Sequence, residues 1–271
     1  MRPAVRNLAL ASLAVVAIAA AAFGQVRLFP QRVRLATATS FDSTFNFCRV
    51  MYRSGPFGTG GGWSADYPTA DINLSIRLSE LTKIRVGFVP GGSPNHLVVR
   101  LTDDALFNCP FILMSEARTI VLDELEVAKL REYLLKGGFL WADDYWGSRA
   151  WEHWVREIGK VLPPSEYPVV DVPRDHPMMR SQFTVEQIPQ IPNIGYWIQS
   201  GGGTSELGVD TAEVHARMIT DHDGRVMVFM THNTDISDSW EREGEDPEYF
   251  YRFSVSGYAV AVNVLLHAFT H

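Results

Sequence analysis

Apolar and polar positions follow two rhythms along this chain, and the changes of rhythm divide it into elements. Three short runs are apolar throughout: Phe111 to Met114, Phe139 to Ala142 and Val226 to Met230. Such runs mark strands covered on both faces, as in parallel sheets. Phe45 to Tyr52 and Leu97 to Leu101 read as further strands, and Val169 to Val172 as another. Between them the apolar spacing changes. Over residues 69–82, Leu74, Leu78 and Leu81 keep helical spacing while Ile72, Leu74, Ile76 and Leu78 also alternate; helix is the reading adopted.

The next helix is the clearest element. Asp123 can cap it, Glu126 completes a capping box, and Leu122 with Val127 forms a hydrophobic staple. Val127, Leu130 and Leu134 give its core face, and Lys136 and Gly137 end it. A further helix starts with Ser148 as its expected N-cap. It carries Trp151, Trp154, Val155, Ile158, Val161 and Leu162 on one face, and Pro163-Pro164 stops it. At this spacing the tryptophans read as core rather than as a stacking platform. The chain closes in a helix with Val255, Tyr258, Ala259, Val262, Leu265, Leu266 and Phe269 on one face.

Strands alternating with helices predict an α/β fold in three layers, a mostly parallel sheet with helices on both faces. Ligands in such folds bind beyond the carboxyl ends of the strands. After the first strand come Arg53, a glycine loop from Gly55 to Gly62, then Trp63, Asp66, Tyr67 and Asp71. The third strand is followed by Ser115 and Glu116, and the fourth by Asp143, Asp144, Tyr145 and Trp146. The last apolar run leads to Thr231, His232, Asn233, Asp235 and Asp238. Gathered on one rim, these residues make a polar pocket. Adjacent carboxylates raise one another's pKa, which suits acid–base work or hard-metal binding. Asp144 is the candidate acid, base or nucleophile, and His232 the candidate proton shuttle. Arg53, Trp63, Asp66, Tyr67, Glu116, Asp143, Trp146, Asn233 and Asp235 are the candidate ligand contacts. A divalent metal would fall to Asp143, Asp144 or Asp235. The competing reading makes Asp143 and Asp144 caps of the following helix and His232 the start of an ordinary loop. His176, before a proline, reads as a turn residue. Residues 235–248, with seven acidic side chains and one arginine, read as a solvated loop.

Composition narrows the function classes. The chain has 271 residues, 46% of them hydrophobic, with 24 Lys+Arg, 31 Asp+Glu and a formal charge of −7. That is globular stock, and its sign argues against a nucleic-acid partner. Two cysteines are too few for a disulfide framework or a cysteine zinc cluster. Cys48 lies in a strand and Cys109 before one. Either both are small buried hydrophobes, or they pair, should their strands be neighbours in an oxidising compartment. No G-x-S-x-G elbow, phosphate loop, G-x-G-x-x-G or H-E-x-x-H occurs. At the N-terminus, Arg2 and Arg6 precede an uncharged run from Leu8 to Phe23, and Ala22-Phe23-Gly24 offers small residues at the −3 and −1 positions. This layout predicts a signal peptide over 1–24, a leader over 25–40 and one domain over 41–271. The expectation is export to the periplasm or beyond, with no membrane attachment after cleavage.

Four segments are more specific: Phe47-Cys48-Arg49-Val50-Met51-Tyr52; Gly61-Gly62-Trp63-Ser64-Ala65-Asp66-Tyr67-Pro68; Leu134 to Asp144; and Thr231-His232-Asn233-Thr234-Asp235. Together they resemble the bacterial "domain of unknown function 4159" family over about residues 41–271. That family looks like a branch of the class I glutamine amidotransferase-like fold, which is flavodoxin-like. The resemblance carries no established activity. In amidotransferases of that fold a glycine-flanked cysteine follows a strand entered from a helix and a glycine. The similar position here is Ala142-Asp143-Asp144-Tyr145-Trp146, so an aspartate replaces the thiol and the flanking glycines are gone. The resemblance therefore implies a non-catalytic module with no cofactor beyond a divalent metal, binding a small molecule, a sugar, a peptide or an envelope protein. Its alternative is a hydrolase using Asp144 and His232, with or without a metal.

Overall fold

In this computed structural model the described residues are 33–55 and 61–270. The segment read as a signal peptide, the first part of the leader and the centre of the glycine loop lie outside them. The compact unit described below begins at Leu35.

The architecture is α/β, built on a seven-stranded, mostly parallel mixed sheet. Strand β1 (Phe47–Met51) pairs in parallel with β2 (His96–Arg100) on one side and β3 (Phe111–Met114) on the other. Beyond β3 lie β4 (Phe139–Ala142) and β7 (Val226–His232), both parallel to it. Two antiparallel strands finish that edge: β6 (His215–Thr220) and the two-residue β5 (Val170–Asp171). The order is β2-β1-β3-β4-β7-β6-β5. Strand β6 has no counterpart in the sequence reading. Its run His-Ala-Arg-Met-Ile-Thr is neither apolar throughout nor cleanly alternating, because it is a half-covered strand near an edge.

Successive strand residues feed two cores, as a period of two demands. Phe47, Phe111, Leu113, Phe139, Trp141 and Phe229 face helix α1 (Thr69–Leu81) and the C-terminal helix (Val255–Thr270). Cys48, Val50, Ile112, Met114, Leu140, Ala142, Val228 and Met230 face helices α2 (Glu124–Leu135) and α3 (Ser148–Val161). Within the last helical stretch, Pro247–Thr270 is long and apolar enough to cross a membrane, yet Val260, Ala261, Val262, Val264 and Leu265 are buried in the first core.

Helix α2 forms with the expected capping box between Asp123 and Glu126, and Gly137 follows it at φ 107°. The start of α3 differs from expectation. Gly147, at φ 84°, is its N-cap, and Ser148 is its first residue. The backbone N–H and hydroxyl of Ser148 are held instead by Asp210. Cys48 and Cys109 form a disulfide, which ties β1 to the lead-in of its neighbour β3.

Strand β1 is where the site begins. The chain leaves β1 for β2 on one side, then crosses to β3 on the other. Helix α1 covers one face there and α2 the opposite face. A crevice opens outside the carboxyl ends at such a switch point.

Candidate functional site

A buried arginine organises the first wall of this crevice. Arg49, in the middle of β1, is fully buried. Its guanidinium forms a two-pronged pair with Asp71 in the first turn of α1, with Nε to Oδ1 at 3.0 Å and Nη2 to the same oxygen at 2.5 Å. Nη1 donates to the carbonyl of Ala65 at 2.9 Å. The planar fork thus fixes the backbone just before Asp66. On the next wall, the Tyr52 hydroxyl donates to the carbonyl of Ser115 at 2.6 Å, beside Glu116. Glu116 itself accepts from the backbone N–H of Gly62 at 2.6 Å.

Four non-glycine residues at the strand ends have left-handed backbones: Asp66 (φ 62°), Glu116 (φ 46°), Asp144 (φ 56°) and Asn233 (φ 62°). This conformation costs about 1 kcal/mol or more per residue, least for Asp and Asn, and it gathers at functional sites.

Between these walls lies a cavity of about 440 Å³. Asp66, Glu116, Asp144, Glu206, Asp235 and Glu241 bring six carboxyl groups to it, against the two guanidinium groups of Arg118 and Arg242; Trp146 also lines it. Burial is the main cause of raised pKa values throughout. It lifts Asp144 well above the ordinary carboxylate range, helped by the charges of Asp66, Glu116 and Asp143. Burial and Asp144 do the same to Asp235. Just outside the lining, Asp238 is pushed up to about 7 by burial and Asp66, and Asp143 to about 6 by burial. Glu241 reaches about 7 for the same reason as Asp238.

The buried hydroxyl of Ser237 lies 2.9 Å from Asp66 Oδ2, 3.1 Å from Asp143 Oδ2 and 3.2 Å from Asp235 Oδ1. A hydroxyl has one proton to donate. It therefore cannot satisfy all three oxygens fully, and the contact to Asp66 is the shortest. Oxygens of Asp66, Asp235 and Asp238 also lie within 4.8 Å of one another, the one such group among the described residues able to hold a metal ion.

Of the residues named from the sequence, Asp66, Glu116, Asp144, Trp146 and Asp235 line the cavity. Trp146 donates its Nε1–H to Asp144 Oδ1 at 3.3 Å. Asp143 lies behind, accepting from the Thr231 hydroxyl and from the backbone N–H of Ser237. Neither aspartate caps α3. His232 points to the other face of the sheet. It stacks among Tyr145, Trp151 and His215, with centroids 5.1, 5.4 and 5.6 Å away. Its Nε2–H donates to the Gly147 carbonyl at 3.2 Å, and burial pushes its pKa down to about 4. Asn233 is a brace, accepting from Gly147 N–H and donating to the Glu213 carbonyl. Arg53 sits exposed, paired with Asp123 and Glu126. Trp63 and Tyr67 pack on each other, and Tyr67 on His96. The stretch read as a solvated acidic loop is corrected: Asp235 and Asp238 are buried. His176 is a turn residue, accepting from Met178 N–H.

The sequence reading missed Arg49, Arg118, Glu206, Glu241 and Arg242. Arg49 had a signal, since a lone charge inside an otherwise apolar strand must find a buried partner. Arg118 and Glu206 sit in irregular segments where no period points to a face.

Fold and site together define an α/β protein with an acidic cavity at the carboxyl edge of its parallel strands. The chain belongs to the Domain of unknown function (DUF4159) family, whose model matches residues 46–269. No curated protein matches it.

Proposed function

We infer that this protein is an exported, non-catalytic binding module whose carboxyl-edge cavity takes a positively charged ligand. The observation that carries this reading is the imbalance inside the cavity: six carboxyl groups converge on one buried space with two arginines. Burying like charges is unfavourable unless a cation or protons offset them. We assign the sheet to the flavodoxin-like, amidotransferase-like class in three layers. The parallel order β2-β1-β3-β4-β7 and the two separate cores support that assignment. On that assignment an aspartate of the Ala142-Asp143-Asp144 segment would stand about where the class has its catalytic cysteine, and both cysteines of this chain are joined to each other, which leaves no thiol for amide chemistry. The disulfide also supports export, since such bonds persist in oxidising compartments. N-terminal sequencing of the exported form is expected to begin at Gln25; a start at Met1 contradicts cleavage.

The binding reading is tested by thermal shift on the full chain at pH 7, with magnesium, calcium, manganese and small amines, beside Asp144→Asn and Asp235→Asn. Saturation at about 100 times the dissociation constant adds about 2.7 kcal/mol, or roughly 2–4 °C. A shift with one cation class that both variants lose supports the reading. No shift with any cation overturns it.

A second reading, a metal-assisted hydrolase, rests on the backbone of Asp144. Its φ of 56° between β4 and α3 makes a strained strand-to-helix elbow that presents its carboxyl group to the cavity. In this reading Asp66, Asp235 and Asp238 would hold the ion. His232 would not shuttle protons, because its ring nitrogens face Gly147 and Arg217 on the far side of β7. Ion-dependent turnover abolished by Asp144→Asn would favour this reading over the first.

A further inference from the structure

We propose that the open edge of β6 takes an extended basic peptide as an added strand, at a place that shares no lining residue with the acidic cavity. The ladder between β5 and β6 is short. Val170 and Asp171 stand opposite Met218 and Arg217, and Val172 N–H donates to the Ala216 carbonyl at 3.0 Å. Pro173 follows, and the chain turns away, with His176 N–H donating to the Pro173 carbonyl at 2.9 Å. In an antiparallel ladder the backbone groups face alternate sides from one residue to the next. The Ala216 carbonyl faces the β5 side, so the Ala216 N–H faces it too, and the same parity puts the backbone groups of Val214 on this edge. Among the described residues, the Ala216 N–H and the N–H and carbonyl of Val214 have no hydrogen-bond partner. A strand edge with unpaired backbone groups is a template for another chain.

Beside that edge lies a groove of about 480 Å³. Met179 and Ile188, both buried, line it together with Val172 and Val214, which gives apolar contact to every second side chain of an added strand. The charge of the groove selects the occupant. Asp171, Glu186 and Glu213 line it against Arg174. Asp171 is taken by Arg217 at 3.2 Å, whereas Glu186 and Glu213 have no ion-pair partner among the described residues. A peptide with Lys or Arg at alternate positions meets these carboxylates while its backbone pairs with the edge. A metal ion or a small amine would answer the charge but not the row of backbone donors and acceptors.

The test is fluorescence anisotropy of the full chain at pH 7.5 with the labelled heptapeptide Thr-Lys-Val-Lys-Val-Lys-Thr. It is compared with the same peptide carrying Glu for Lys, and with the lysine peptide N-methylated along its backbone. The lysine peptide is expected to bind, and each of the other two at least about 10-fold more weakly, the loss of one hydrogen bond or ion pair or more. Ala216→Pro removes an N–H that faces away from β7, a position where an edge strand tolerates proline. Glu186→Lys with Glu213→Lys reverses the charge at two exposed residues and leaves the backbone as it is. Each variant, checked as folded by circular dichroism, should weaken the lysine peptide about 10-fold. Equal binding of the N-methylated peptide overturns the proposal, as does unchanged affinity in the charge-reversed variant, which tests it even should Ala216→Pro fail to fold. A dimer in sedimentation velocity that Ala216→Pro dissociates would give the edge to a second copy and also overturn it. No binding of the lysine peptide overturns it outright and leaves the cation-binding reading of the cavity untouched.

Discussion

At the scale of single residues, the site separates into groups that hold the walls and groups that face the cavity. Arg49 belongs to the walls. Its partner Asp71 is fully buried, so removing the guanidinium strands a charge in the core. Arg49→Ala is expected to cost about 3–5 kcal/mol in urea unfolding; a loss below about 1 kcal/mol would show that the pair contributes little. Asp144 faces the cavity and behaves in the opposite way. Asn tolerates a left-handed backbone and carries no charge, so Asp144→Asn is expected to raise the ligand-free melting temperature while removing the cation response. A lower melting temperature would mean that the carboxylate is structurally required. The sequence showed Asp66, Glu116, Asp144, Trp146 and Asp235 because the ends of their strands were legible. It misplaced His232 for a definite reason. Thr231 and His232 are consecutive on β7, and the pleat sends one toward Asp143 and the other into the Tyr145 stack. Residue order names the rim of a sheet, but only strand parity and the following turn decide which side chains enter the crevice.

At the scale of elements, the strands legible from sequence are those buried on both faces. Strands β3, β4 and β7 declared themselves as apolar runs, and α2 by its box and staple. Strand β6 did not, since Arg217 serves a cation–π contact 4.1 Å over Trp151 rather than a buried face. The acidic stretch after β7 was misread because charge density alone looks like a solvated surface. Here Ile194 N–H and the Tyr249 hydroxyl hold one oxygen of Asp238, and Ser237 one oxygen of Asp235, inside the fold. The disulfide acts at this scale too, closing a separation of 61 residues between β1 and the entry of β3. Replacing Cys48 and Cys109 by Ala is expected to lower stability by about 4 kcal/mol on the loop-entropy account. Unchanged unfolding midpoints in oxidised and reduced protein would contradict that role.

For the whole molecule, the uncompensated cavity carries a signature in the pH dependence of stability. A carboxyl group whose folded pKa is raised binds more protons in the folded state than in the unfolded one. Its contribution is complete below the unfolded value, near 4, and is lost as pH rises through the folded value. Asp238 and Glu241 lose theirs as pH rises through about 7, and Asp144 and Asp235, raised by burial and neighbouring carboxyl charges, lose theirs above the ordinary carboxylate range. His232 acts in the reverse sense, but only between its folded value of about 4 and its unfolded value near 6.5. Above pH 6.5 the carboxyl groups therefore act unopposed by it. The measurement is urea unfolding of the ligand-free chain from pH 6.5 to 8.0, beside Asp144→Asn. Stability is expected to fall by about 1.4 kcal/mol per pH unit for each proton the folded state retains, and the fall should shrink in the variant. Stability that stays flat or rises over that interval, in the wild type as in the variant, would contradict a cavity of uncompensated carboxyl groups and the cation site inferred from it.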